Sequence, residues 1–128
     1  MTLRFQGLIR GELTAVYGSI LVLCILAGIL GCQRTPMTAE TLYAQRCESC
    51  HGEKGGGNGL AARALPDRPA DFSSPIWRST VNADYVRKVI VRGGTQMGIS
   101  PLMPSNEDLE EDVELLNDLV QLVLGLSQ

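Results

Sequence analysis

Two cysteines and the only histidine of the chain lie together in the segment CESCHG, at residues 47–52. Cys47 and Cys50 are three positions apart, and His51 follows directly. Cysteine and histidine side chains bind zinc, and a cysteine pair at this spacing carries thiol redox chemistry in some folds. The same pattern also attaches haem, because two thiols can each bond one vinyl group of a porphyrin while the histidine ligates its iron.

Zinc binding and thiol redox chemistry fit the surroundings of this motif less well than haem attachment does. Structural zinc sites generally need four ligands, and catalytic ones need three plus water. After residue 32, all cysteines and histidines of the chain are inside CESCH, and no second pair is present to complete a tetrahedron. A thioredoxin-like pair is expected at a helix N-terminus, whereas this pair follows TAETLYAQR, which is typical of a helix, and precedes the glycine-rich GEKGGGNG. The motif therefore favours covalent haem.

Haem iron would take its sixth ligand from one of two downstream methionines. Met97 and Met103 both lie in GGTQMGISPLMPSNEDLEED. Met103 precedes Pro104, and because a residue before proline is pushed into extended geometry, the loop would hold this thioether in a fixed conformation. Met97, between Gln96 and Gly98, lacks that constraint. We therefore expect Met103 as the ligand, with Met97 as the alternative and core packing as the ordinary role of either side chain.

The first quarter of the chain has the pattern of an export segment. Residues 13–31 contain no charged side chain and follow Arg4 and Arg10. The run ends in ILGC, which resembles the bacterial lipobox, and Cys32 is then the lipid attachment site. The other interpretation is an uncleaved signal anchor, because an apolar run of 19 residues is near the lower limit for a membrane span. Both predict a domain in the cell envelope that is tethered to a membrane and faces the periplasm.

The exported part is expected to be one small all-α domain. We expect a signal peptide or anchor at residues 1–31, a short tether at residues 32–37 and the domain at residues 38–128. No strand-like alternation of any length appears in it. From residue 33 on, nine basic residues stand against thirteen acidic ones, and seven of the acids lie from Glu107 onward. Net acidity without a basic run argues against nucleic-acid binding.

Three stretches of the domain show helical periodicity. The first helix is expected over residues 39–50, with Thr38 as its N-cap. A middle helix would begin after Asn82 and end at Gly93. The last helix would begin near residues 105–106 and end at about residue 124. Its apolar stripe would consist of Val113, Leu116, Val120 and Val123.

From about residue 38 to residue 127 the sequence resembles the class I mono-haem cytochromes c of bacteria. The resemblance is carried by LYAQRCESCHG, GGGNGLAARAL, RPADFSSPIW, VIVRGG and SPLMPS in this order, followed by an amphipathic C-terminal helix. It implies a fold of three to five helices around one covalently bound haem c per chain. In such a fold Cys47 and Cys50 hold the porphyrin, His51 is the proximal ligand of the iron and Met103 is the distal ligand. The last helix would cross the first near Tyr43.

Some features of the resemblance concern the surroundings of the haem. Many relatives have a proline where this chain has Leu60, whose carbonyl is left as the candidate acceptor for a hydrogen bond from His51. In relatives, tryptophan and arginine side chains in this region often bind the haem propionates. This makes Trp77 a candidate, with core packing as its ordinary alternative. The arginine candidates are Arg68, Arg78 and Arg92, for which surface solvation is the alternative.

The resemblance implies a one-electron carrier of the bacterial cell envelope that exchanges electrons with redox protein partners. No substrate pocket or acid/base pair is evident in the sequence, so we expect no enzymatic activity of its own. Two alternatives stay open. The chain would be a haem subunit of a larger dehydrogenase, reductase or oxidase complex, or, if neither methionine binds iron, a haem sensor or peroxidase with an open sixth site.

Overall fold

A computed structural model describes residues 36–126 of the chain. The expected export segment at residues 1–31 and the expected lipid attachment site Cys32 lie outside these described residues. Five α-helices are present in the described part: α1 (Ala39–Arg46), α2 (Glu48–His51), α3 (Pro75–Thr80), α4 (Ala83–Gln96) and α5 (Val113–Gly125). Two short 3-10 segments, Ala61–Ala64 and Glu107–Glu111, accompany them. No strand occurs between residues 36 and 126, so the all-α expectation is confirmed for this range.

The first predicted helix is present, and its cap is the predicted one. Thr38 has extended backbone geometry, and its Oγ1 accepts a hydrogen bond from the Thr41 amide at 3.3 Å. This bond supplies one of the partners that the first turn of a helix lacks. The predicted single helix over residues 39–50 is instead two helices, because Cys47, with φ −114° and ψ −40°, bends the chain between α1 and α2. Hydrogen bonds of the helical type continue across the bend.

The middle helix, α4, also begins at its predicted cap. The Asn82 Oδ1 accepts a hydrogen bond from the Tyr85 amide at 2.9 Å. The predicted end at Gly93 is present as a break inside the helix, where φ is 70° and ψ is 173°. Such a positive φ favours glycine, and the chain makes one further turn beyond it, up to Gln96. The last turn of α4 thereby comes into contact with residues 100–105.

The last helix begins later than the sequence predicts. In place of a helix from residues 105–106, the segment Glu107–Glu111 is a 3-10 turn, and α5 begins at Val113. Asp112 accounts for this start, because its Oδ1 accepts a hydrogen bond from the Leu115 amide at 3.0 Å and caps α5. Val113 lies in the first turn and is 58% exposed, so its place in the predicted apolar stripe is wrong. The other three positions of the stripe are buried, as predicted.

One hydrophobic core joins α1, α4 and α5. The helix α5 packs against both α1 and α4. The largest fully buried side chains of this core are Leu42, Leu119 and Val120. Tyr43 is buried in the same core, and its hydroxyl donates a hydrogen bond to the Gly52 carbonyl at 2.7 Å. That hydrogen bond ties the end of α2, and with it the CESCH motif, to α1.

Truncation of Leu42 tests this description of the core. Leu42 is 1% exposed, and replacing a buried leucine by alanine costs about 2–5 kcal/mol because apolar burial is lost and a cavity remains. We expect Leu42→Ala to lower the free energy of unfolding, measured by urea titration, by an amount in this range. Val113→Ala is the control, since an exposed aliphatic side chain should change that free energy by less than about 0.5 kcal/mol. Equal losses in the two variants would contradict the assignment.

Candidate functional site

The CESCH motif begins at the bend, with Cys47, and continues through α2 to His51. Cys47 and Cys50 are half-buried and are not joined in a disulfide. Burial raises the pKa of the Cys47 thiol to about 11, against a smaller opposing effect of the Arg46 charge. Reactive dithiols need a cysteine whose pKa is lowered, so that a thiolate forms near neutral pH. Cys47 therefore lacks the acidity that thioredoxin-like chemistry requires.

The motif faces a cleft of about 770 Å³. Side chains from all five described helices line it, together with residues of the segments 65–72 and 99–106. Many of them are aliphatic or aromatic, with valines and an isoleucine of α4 among them. Clefts for small molecules and cofactors usually have volumes of about 300–1,000 Å³ and mainly apolar walls. The cleft has the size and the lining of a cofactor site.

His51 presents its imidazole to this cleft. Burial lowers the pKa of His51, and a smaller effect of the Ala70 backbone acts in the opposite direction. The ring is therefore neutral near pH 7, which is the form that ligates a metal. Its Nδ1 is buried and has no hydrogen-bond partner among the described residues. The Leu60 carbonyl, which the sequence left as a candidate acceptor, thus makes no such bond.

An aromatic stack lies beside the His51 ring. The centroid of the Phe72 ring is 4.8 Å from that of His51, with 21° between the two planes. Trp77 continues the stack, with its centroid 4.8 Å from that of Phe72 and a tilt of 36°. Trp77 and Arg68 both line the cleft, whereas the other two candidate arginines do not. The sequence pointed to Trp77 but gave no role to Phe72, because a phenylalanine in a loop carries no periodic signal.

Of the two candidate methionines, Met103 lines the cleft and Met97 does not. Met97 is the C-cap residue of α4. The Met103 carbonyl accepts a hydrogen bond from the Gly94 amide at 2.9 Å, which fixes the loop to the last turn of α4. The four residues that the resemblance assigns to the cofactor therefore line one cleft: Cys47, Cys50, His51 and Met103.

Asn106 fastens the end of the Met103 loop, a role that no sequence signal indicated. Its amide donates to the Val91 carbonyl at 3.0 Å, and its Nδ2 donates to the Ile90 carbonyl at 3.1 Å. Its Oδ1 accepts a hydrogen bond from Arg46 at 3.3 Å, and Arg46 also forms an ion pair with Asp108 at 2.8 Å. That ion pair is exposed, so by itself it contributes little to the free energy of unfolding. Asn106 matters more, because it satisfies carbonyls near the end of α4 that have lost their helical partners.

Two consecutive glycines allow the loop to approach α4 so closely. A Cβ atom on Gly93 would lie 2.7 Å from the Ser105 nitrogen and 2.9 Å from the Met103 carbonyl oxygen. A Cβ atom on Gly94 would overlap the Ser100 carbonyl oxygen. These contacts are with backbone atoms, which cannot turn aside as a flexible side chain does. The glycine pair of VIVRGG is therefore a steric requirement of the Met103 loop.

Comparison with known proteins assigns a family to this arrangement. A family model described as cytochrome c oxidase, cbb3-type, subunit III matches residues 34–121, which is more than half of the chain. The chain belongs to this family of class I cytochrome c domains. A cytochrome c domain binds haem c covalently and transfers electrons through the haem iron, so the predicted family, cofactor type and general function are confirmed.

Among curated proteins, an argininosuccinate synthase of Shewanella woodyi is 33% identical to this cytochrome c over 82 residues. The aligned part is 63% of this chain and 20% of that protein. The chain thus spans about a fifth of the length of the curated relative that it matches. No solved structure matches the chain.

The residues of this cytochrome c fit the cofactor of the family. Between residues 36 and 126, no group of three or more histidine, cysteine, aspartate and glutamate side chains is arranged to hold a metal ion. A porphyrin supplies most of the ligands of its own iron, so the chain needs to add only axial ligands and two thiols. The cleft offers both, with a neutral imidazole and two half-buried thiols on adjoining helical turns.

A substitution at Gly94 tests the steric account of the Met103 loop. The added Cβ of Gly94→Ala would collide with the Ser100 carbonyl, and such overpacking costs about 1–3 kcal/mol. We expect a loss of this size in the free energy of unfolding, together with faster hydrogen exchange at the Ile99 amide, which donates to the Gly94 carbonyl at 2.9 Å. Gly125→Ala is the control, because nothing lies within 4 Å of the Cβ position there. A Gly94→Ala protein as stable as the control would refute the account.

Proposed function

We propose that this cytochrome c is a one-electron carrier of the bacterial cell envelope. One haem c per chain would be bound through thioether bonds to Cys47 and Cys50, with His51 and Met103 as the axial ligands of its iron. The observation that carries the proposal is the placement of these four side chains on one cleft, although more than fifty residues separate His51 from Met103. The chain has one C-x-x-C-H motif, which supports one haem per chain.

The haem supplies the redox chemistry, because its iron changes between the ferrous and ferric states. The chain sets the conditions for that change. The neutral His51 ring is ready to ligate a metal without first losing a proton. A thioether ligand from Met103 favours the ferrous state, and the apolar side chains that line much of the cleft reduce contact with solvent. Together these features predict a raised reduction potential, which suits late steps of a respiratory chain.

Exchange of electrons with redox protein partners would take place at the mouth of the cleft. Tyr85, Ile99 and Leu102 line the cleft and are 38%, 44% and 48% exposed. A contiguous exposed apolar patch often marks an interaction site, and we propose that these three side chains form one. The seven acids from Glu107 onward, with no base among them, would steer a partner with a basic surface at low salt. Part of that acidity has a local role, because acids at the start of α5 also stabilise the helix.

We also propose that the domain is tethered to a membrane and faces the periplasm. The support is the sequence pattern of residues 13–31 and the lipobox-like ILGC that ends at Cys32. The tether would be lipid at Cys32 or the apolar segment itself. Within residues 36–126, none of the helices combines the length and the apolar character that a membrane span needs.

The description of the matching family favours a second candidate function. It names a subunit of an oxidase, so this chain would be the haem subunit of a larger oxidase, dehydrogenase or reductase complex. Extraction in a gentle detergent separates the two proposals. A partner that co-purifies in constant stoichiometry would support the complex, and a single chain that exchanges electrons in solution would support the carrier.

Substitution of the two methionines tests the proposed ligation. We expect Met103→Ala to abolish the near-red absorption band of methionine-ligated ferric haem and to lower the reduction potential, because the thioether ligand is lost. Met97→Ala is the matched control and should leave both unchanged, since Met97 does not line the cleft. The reverse pattern would assign the ligand to Met97. Absence of the band in the unsubstituted protein would favour a sensor or peroxidase with an open sixth site.

Mass spectrometry of the detergent-extracted protein tests the proposed tether. We expect residues 1–31 to be absent and Cys32 to carry acyl chains, because a lipobox cysteine becomes the first residue of the mature lipoprotein. Cys32→Ser should then release the domain from the membrane fraction or leave its precursor uncleaved. An intact Met1 in the extracted, unsubstituted protein would contradict the lipid anchor and establish the signal anchor.

A further inference from the structure

Phe72 lies against the face of the imidazole that is proposed to bind the haem iron. The two rings are nearly parallel, with their centroids 4.8 Å apart and 21° between their planes. Phe72 is 6% exposed, so the contact is made inside the domain. Offset stacked rings at this separation attract each other beyond the burial of their area. The contact therefore favours one orientation of the His51 ring over others.

Within the described part of the chain, the His51 Nδ1 has no well-aligned hydrogen bond that would set the plane of the ring by itself. A ligating histidine usually donates its second N–H to a carbonyl or carboxylate, which fixes the plane of the ring. Here the His51 Nδ1 is buried and has no hydrogen-bond partner among the described residues. The Ala70 backbone also acts on the imidazole, so the stack with Phe72 is one of two contacts that bear on the orientation of the ring.

Phe72 is itself held in place from several directions. Its amide donates to the Gly55 carbonyl at 2.8 Å, which fixes its backbone to the loop after the CESCH motif. Gly55 has φ 70°, and a Cβ atom there would overlap the Phe72 ring, so the ring packs directly on the glycine backbone. Trp77 packs on Phe72 as well, with centroids 4.8 Å apart. A ring confined in this way can act as a fixed surface for its neighbour.

We infer that Phe72 is a positioning residue that sets the plane of the His51 imidazole by stacking on it. The inference rests on the proposed function, in which His51 is an axial ligand of haem c. The plane of an axial imidazole, together with the orientation of the other axial ligand, affects how unpaired spin is distributed over the four pyrrole rings of a ferric haem. The paramagnetically shifted haem-methyl signals in the proton NMR spectrum report this distribution, and general loss of stability does not by itself change it.

The test compares the haem-methyl signals of ferric wild-type protein with those of Phe72→Leu. Leucine keeps the site apolar but removes the flat surface, so we expect the order or the spread of the four signals to change. Phe72→Tyr keeps the ring and should restore a pattern close to that of the wild type. Leu116→Ala is the stability control, because Leu116 is buried in the core but does not line the cleft. It should lower the unfolding temperature and leave the pattern unchanged.

The outcomes separate this inference from the proposed function. An unchanged pattern in Phe72→Leu, or an equal change in Leu116→Ala, would overturn the positioning role while the haem protein itself stands. If Phe72→Leu does not accumulate with haem, Gly55→Ala is measured in its place, since the added Cβ would displace the Phe72 ring and Gly55 does not line the cleft. A shifted pattern in that variant would support the role, and an unchanged one would overturn it. A wild-type protein without covalent haem would overturn the proposed function and this inference together.

Discussion

The packing of α1 against α5 is the contact on which the cleft depends. Cys47 follows the last residue of α1, and α2, with Cys50 and His51, comes directly after the bend at that cysteine. A shift of α1 on the core would therefore displace both thiols and the imidazole together. Tyr43 adds a second restraint, because its buried hydroxyl holds the Gly52 carbonyl at the end of α2. The position of the motif is thus set by the core of the protein.

The Met103 loop is positioned mainly by backbone contacts. The glycine pair that ends the regular part of α4 removes the side chains that would keep the loop away, and the Gly94 amide then binds the Met103 carbonyl. Asn106 completes the attachment by satisfying the Ile90 and Val91 carbonyls. The two candidate ligands are therefore held in the cleft by different restraints. Burial of side chains in the core positions His51, and close main-chain contacts position Met103.

The sequence predicted those features that depend on neighbouring residues. The CESCH motif, the caps at Thr38 and Asn82 and the break at Gly93 are all local, and each has a residue type that its geometry requires. The start of α5 was predicted too early, since the acids before it suit both a 3-10 turn and a first helical turn. The roles of Phe72 and Asn106 depend on contacts with residues distant in the sequence, or in another element, and no periodicity or spacing reports such contacts.

A cytochrome c needs little from its chain beyond a shaped apolar cleft, two thiols and axial ligands, because the haem itself carries the electron. The central claim is that CESCH holds one haem covalently. A reduced-minus-oxidised visible spectrum with a pyridine haemochrome assay, on full-length protein made together with the haem-attachment machinery, tests it most directly. The account predicts a c-type spectrum at one haem per chain. Protein that accumulates under those conditions without covalent haem would contradict it and leave CESCH as a pair of thiols.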